Sequence, residues 1–351
     1  MPNRFLELLE TKPYLLVDGA TGTNLFAMGL QTGDAPELWN TAYPERLARL
    51  HQAFLAAGSD IILTNSFGGT RYRLKLHQAQ DRVGELNRAA ARIARQQADA
   101  TGRLVAVAGS MGPTGELLAP LGTLSFADVK AAFAEQAQAL AEGGVDVVWI
   151  ETMSSREELT AAVAGAATCG LPIVCTLSFD TNGRTMMGLT PADLVALCRE
   201  LVPSPVACGA NCGVGAAELV VTILNLSAAA GPDGILVAKA NCGIPEYVDG
   251  ALRYNGTPAL MADYARLVRD AGARIIGGCC GTTPAHIQAM KTALEQHRPG
   301  VRPDLDSVIA HLGEISTGAR AQLRGEMNPL QGAASGEGTA QRGMRGRRRQ
   351  R

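Results

Sequence analysis

Short apolar runs alternate with longer amphipathic segments eight times along this chain, and that repetition constrains the fold more than any other feature. The runs are YLLVD from Tyr14, DIILT from Asp60, LVAVAGS from Leu104, VDVVWIE from Val145, PIVCTLSF from Pro172, PVACGAN from Pro205, GILVAKAN from Gly234 and ARIIGG from Ala273. Each is almost continuously apolar, as strands buried on both faces must be. Between and after them apolar residues recur at three- and four-residue spacing, which predicts helices over 45–57, 81–100, 127–142, 156–168, 191–201, 216–228, 258–271 and 284–297. Several open on helix-start signals: Ser125, Ser155, Thr190-Pro191, Thr257-Pro258 and Thr283-Pro284.

Eight such units in series fit a single α/β domain, a (β/α)8 barrel of the TIM type over residues 1–300, with a doubly wound open sheet as the competing layout. The barrel predicts where chemistry gathers, because active sites in it sit at the carboxyl ends of the strands. Asp18, Asn65, Ser110, Glu151, Ser178, Asn211, Cys212, Asn241, Cys242, Cys279 and Cys280 all fall where an apolar run stops. Composition agrees with helices on a parallel sheet: 46% of residues are hydrophobic but only 4% aromatic.

Charge is nearly balanced, with 32 basic and 33 acidic residues, yet it is unevenly placed. Residues 301–351 hold nine Arg and five acidic residues, leaving the first three hundred with 23 basic and 28 acidic, so the body offers no nucleic-acid surface. The extension over 301–351, ending GMRGRRRQR, is polar and low in complexity and is expected to be largely disordered. Its arginines read as a solvated tail, or else as a docking arm for an acidic partner or RNA. The opening MPNRFLELLETKPYLLVDG lacks the apolar stretch of a secretory signal, and no later window is long enough to span a bilayer. The cytoplasm is therefore the expected compartment, with no membrane partner.

Eight cysteines in such a chain point to reduced thiols that pack, bind metal or react. Cys212 closes the sixth run, and Cys279 and Cys280 follow the eighth inside GGCCG. In a closed barrel one strand separates these ends, so the three sulfurs can meet around one ion. Zinc takes thiolates in tetrahedral geometry, and a catalytic site leaves one position open. Gly213, Gly277, Gly278 and Gly281 permit the contorted path that lets adjacent residues face one ion. Packing as small hydrophobes and a vicinal redox disulfide are the competing readings; the first is assigned to Cys169, Cys175, Cys198 and Cys208.

LLVDGATGTNLFAMG, SDIILTNSFGGTRYRL, GSMGPTGELLAPLG, IETMSS, GANCGVG and GGCCGTTPAHI stand in this order from about Leu15 to Met290. Together they resemble the homocysteine S-methyltransferase family, most closely the homocysteine-binding barrel of cobalamin-dependent methionine synthase, with betaine:homocysteine methyltransferase a more distant relative. The resemblance implies one catalytic Zn2+ per chain on Cys212, Cys279 and Cys280, homocysteine as substrate and methionine as product. It places Asp18 and Glu151 on the substrate's ammonium and makes Thr64 and Asn65 pocket walls. Backbone N–H groups around Ser110 and Met111 are expected to receive the carboxylate. Where the family reads Asn-Ala-Gly this chain reads Asn241-Cys242-Gly243; Cys242 is either a spare sulfur near zinc or inert, and Asn241 is expected to cover the open position.

The methyl donor is least legible. None of the five His lies in the Asp-x-His-x-x-Gly context of a cobalamin-binding module, so methylcobalamin would arrive in trans on a separate corrinoid protein. Direct transfer from betaine or S-methylmethionine is the alternative; Gly68 stands where betaine-using relatives carry an aromatic. A non-catalytic zinc-binding interaction subunit is the reading from another class.

Overall fold

The computed structural model describes residues 3–243, 245–248 and 251–324. All eight predicted strands form: β1 (Leu15–Leu16), β2 (Ile61–Leu63), β3 (Ala106–Met111), β4 (Val147–Met153), β5 (Ile173–Leu177), β6 (Ala207–Cys212), β7 (Leu236–Ala240) and, after a hairpin of β8 (Pro245–Val248) and β9 (Ala251–Tyr254), β10 (Ala273–Gly278). The eight are parallel in the order β1-β10-β7-β6-β5-β4-β3-β2. A parallel bridge from Val17 to Ile61 joins the two ends, so the sheet is a barrel rather than an open layout.

Alternation along each strand divides the apolar residues into two layers. Leu15, Val17, Ile61, Leu63, Ala106, Ala108, Val147, Trp149, Val174 and Val237 fill the interior. Their neighbours Leu16, Ile62, Val107, Val148 and Ile150 face the helices. The opening helix Arg4–Thr11 adds Phe5, Leu8 and Leu9 to the inner cluster and plugs the amino-terminal end of the barrel.

Eight outer helices form, and five of them start on the Ser or Thr that signals them in the sequence. Ser125 and Thr190 form capping boxes with Asp128 and Asp193, and Thr257 accepts from the N–H of Leu260. Short helices within the βα connections, Gly22–Ala27 and Arg71–Lys75, carry no legible periodicity but each buries one leucine, Leu25 and Leu74. The extension contributes two further helices that the sequence reading does not anticipate, Leu305–Leu312 and Thr317–Leu323; residues 325–351 lie outside the described residues. Among the described residues no helix is long and apolar enough to cross a membrane.

Candidate active site

β6 ends on Cys212 in the left-handed region at φ 62°, a conformation costly to any residue with a side chain. β10 ends on Gly278, whose hypothetical Cβ would meet Thr282 Cγ2 at 2.3 Å, so no side chain fits before Cys279 and Cys280. The resulting turns bring the sulfurs of Cys212, Cys279 and Cys280 within 4.8 Å of one another.

β7 lies between the two loops and braces both. Cys279 N donates to Ala240 O at 2.6 Å and Cys242 N to Cys280 O at 2.8 Å. Asn241 accepts from Cys280 N at 3.0 Å and donates to Gly213 O at 2.7 Å, which ties the two ligand loops together. Asn241 is thus spent on the loops and does not line the cavity. Asn211 is held by Thr152 and Thr176 and reaches Cys279 Sγ at 3.8 Å. Cys242 is 1% exposed in the helix-facing core and stands outside the sulfur cluster. All eight cysteines are free thiols.

The donor set fits a zinc-sized dication. Sulfurs at tetrahedral corners around zinc lie about 3.8 Å apart, given bonds of about 2.3 Å, inside the observed limit. Packed without a cation, the thiols resist ionisation: the hydrogen bond with Cys212 pushes Cys279 up to about 12, and burial adds to it. A dication among them reverses that preference.

The cysteines line a cavity of about 470 Å³ together with Ser110, Glu151, Lys239, Phe26, Phe67 and Glu37. Thr64 and Asn65 line it. Thr64 Oγ1 accepts from Ser110 N at 3.0 Å, and the Asn65 amide donates to Pro36 O and Asn40 Oδ1, so both brace the wall they form. Glu151 Oε1 accepts from Ser110 Oγ at 2.5 Å.

Two further expectations take another form. The Ser110 N–H is already spent on Thr64 Oγ1, so that expected donor is not free for a carboxylate. Asp18 is 1% exposed and does not reach the cavity wall. Its Oδ2 accepts from Leu63 N at 2.7 Å, and its Oδ1 lies 3.6 Å from Lys239 Nζ, an ion pair longer than a hydrogen bond. Burial pushes the Asp18 carboxyl up to about 6 against the pull of Lys239. Lys239 itself is a site residue that the sequence reading missed. The signal is parity: Val237 faces the interior, so Lys239 two residues on does too. Tyr254, which lines the cavity with Cys280, was missed as well.

Known proteins are similar to this chain in sequence and in fold. A methionine synthase of Mycobacterium tuberculosis is 32% identical over 295 residues, covering 79% of this chain and 24% of that protein. That of Mycobacterium leprae is 30% identical over 330 residues, covering 89% and 27%. The chain thus spans about a quarter of the length of these relatives. Among solved structures, the metallated form of the homocysteine methyltransferase MmuM from Escherichia coli matches with a TM-score of 0.68 at 27% identity, covering 83% of this chain and 99% of that one. A methyltransferase from Methanosarcina mazei, 15% identical with a TM-score of 0.53, shares the fold. Residues 15–294 match the homocysteine S-methyltransferase family as a whole, and the chain belongs to that family.

Proposed function

We propose that the chain is a zinc-dependent homocysteine S-methyltransferase that forms methionine. The observation that carries this reading is the trio of sulfurs, within 4.8 Å of one another, that lines a cavity walled by Glu151. Cys212, Cys279 and Cys280 would hold the ion. When bound, zinc supplies a Lewis acid that favours the thiolate form of an incoming thiol. The three cysteinates outweigh the charge of a dication by one, so a fourth thiolate keeps its electron density. Glu151, oriented by Ser110, receives the substrate's ammonium, with the charge of Asp18 behind the wall; Thr64 and Asn65 fix the wall's shape. Transfer is an in-line displacement by sulfur at the methyl carbon, so orientation supplies much of the rate.

Similarity to methionine synthases over 79% and 89% of this chain supports a homocysteine-activating component of a cobalamin-dependent enzyme, with methylcobalamin delivered by a corrinoid protein. A second reading, direct transfer from betaine or S-methylmethionine, is favoured by the aromatic side chains of Phe26, Phe67 and Tyr254 and the carboxylate of Glu37 among the residues that line the cavity. Eight unpaired thiols fit a reducing compartment such as the cytoplasm. The test supplies homocysteine with methyl-labelled methylcobalamin on a corrinoid protein, betaine or S-methylmethionine and measures labelled methionine. Product with one donor identifies it; no product with any would leave only a zinc-binding subunit.

A further inference from the structure

The cavity wall carries one buried cation that the reaction outlined above leaves unused. Lys239 projects from β7 into the barrel, is 3% exposed, and lines the cavity beside Glu151 and Cys279. Burying an ammonium is costly unless it is paired, and the pairing here is one-sided. Asp18 stands behind it at 3.6 Å, and the Trp149 ring lies 5.8 Å away. Neither contact satisfies the three donors of an ammonium by hydrogen bonding. Burial opposes its charge, but the charges of Glu151, Asp18 and Cys279 together raise the Lys239 pKa.

Of the charged side chains that line the cavity, Asp34, Glu37, Arg73, Glu151 and Lys239, the carboxylate of Glu151 and the ammonium of Lys239 are the pair beside Cys279. Side by side they mirror an α-amino-acid zwitterion with its charges reversed. The backbone donor expected for the substrate's carboxylate, Ser110 N–H, is occupied by Thr64. We propose that Lys239 receives the α-carboxylate of the amino-acid substrate, with Asp18 as its fixed counter-charge beneath the wall, so that the pocket selects zwitterionic thiols. This rests on the function proposed above and assigns Asp18 a supporting role rather than a substrate contact.

The test compares homocysteine with 3-aminopropane-1-thiol, the same molecule without its carboxylate, by calorimetric binding to the zinc-loaded protein. Lys239→Met alone leaves Asp18 buried and unpaired, so the charge-neutral D18N/K239M is made beside it. The wild type is expected to bind homocysteine about ten- to hundredfold tighter than the aminothiol, as a charge-assisted hydrogen bond contributes about 1.5–3 kcal/mol. In whichever variant folds, zinc content stays stoichiometric and that preference falls to within about threefold, through loss of homocysteine affinity alone. A preference that survives both substitutions, or equal weakening of both thiols, would overturn the assignment. A wild type binding both thiols equally would overturn it too, whereas one binding neither would remove the proposed function and the inference with it.

Discussion

Cys212 and Thr152 share a backbone state that residues with side chains rarely adopt, at φ 62° and 63°, and Asn211 stands between them. It accepts from Thr152 N at 2.8 Å and donates to Thr152 Oγ1 at 2.7 Å, so one buried amide holds the strained end of β4 against the neighbour of a zinc-ligand candidate. Removing any of the three thiols leaves a two-sulfur site. Cys280→Ala is expected to retain less than about a tenth of the zinc of the wild type, by metal analysis, and to lose activity at least about a hundredfold, as losing one of three ligands forfeits much of the affinity. Glu151→Gln keeps shape but removes charge; KM for homocysteine should rise about ten- to hundredfold with zinc content unchanged. The sulfurs were legible because adjacent cysteines among glycines have few structural uses. Lys239 was not, since a single lysine in GILVAKAN reads as part of an apolar run until the strand's parity is applied.

Five of the outer helices begin on Ser or Thr residues that the sequence displays, and such caps carry measurable stability. At the helix Pro191–Glu200, Thr190 accepts from Asp193 N while the Asp193 carboxylate accepts from Thr190 N at 2.8 Å. Thr190→Ala should cost about 1 kcal/mol, and lower Tm by about 2 °C in a thermal melt, with zinc binding unchanged. Elements with a period and a cap were legible at this scale. The short helices Gly22–Ala27 and Arg71–Lys75 were not, because helices of one or two turns have no local stability and form only where Leu25 and Leu74 find the core. The same holds for Leu305–Leu312, which is fixed by burying Val308 against the barrel helices.

Closure of the sheet through Val17 and Ile61 makes the molecule one cooperative body whose interior tolerates little charge. His51, on the helix Pro44–Ala57, is 1% exposed with both ring nitrogens unpartnered, and burial lowers its pKa to about 4. The unfolded chain takes up that proton near pH 6.5 and the folded one near pH 4, so His51 costs stability as pH falls through this window. The loss amounts to about 3 kcal/mol at about 1.4 kcal/mol per unit. Asp18 runs the other way, since a raised carboxyl pKa holds an extra proton in the folded state between about pH 4 and 6. Urea unfolding of His51→Leu beside the wild type separates the two: the variant should lose the fall between pH 6.5 and 4 that His51 causes. The fold's number of strands and their order were legible from the eightfold repeat; the depth at which each polar side chain sits was not, because it depends on neighbours from other strands.

The central claim is that Cys212, Cys279 and Cys280 grip one zinc ion and leave a position for the substrate's sulfur. X-ray absorption at the zinc edge counts those sulfurs directly. The account predicts three sulfur neighbours for the loaded protein and four once homocysteine is added. Fewer than three at the start, or a count that homocysteine does not change, would contradict it.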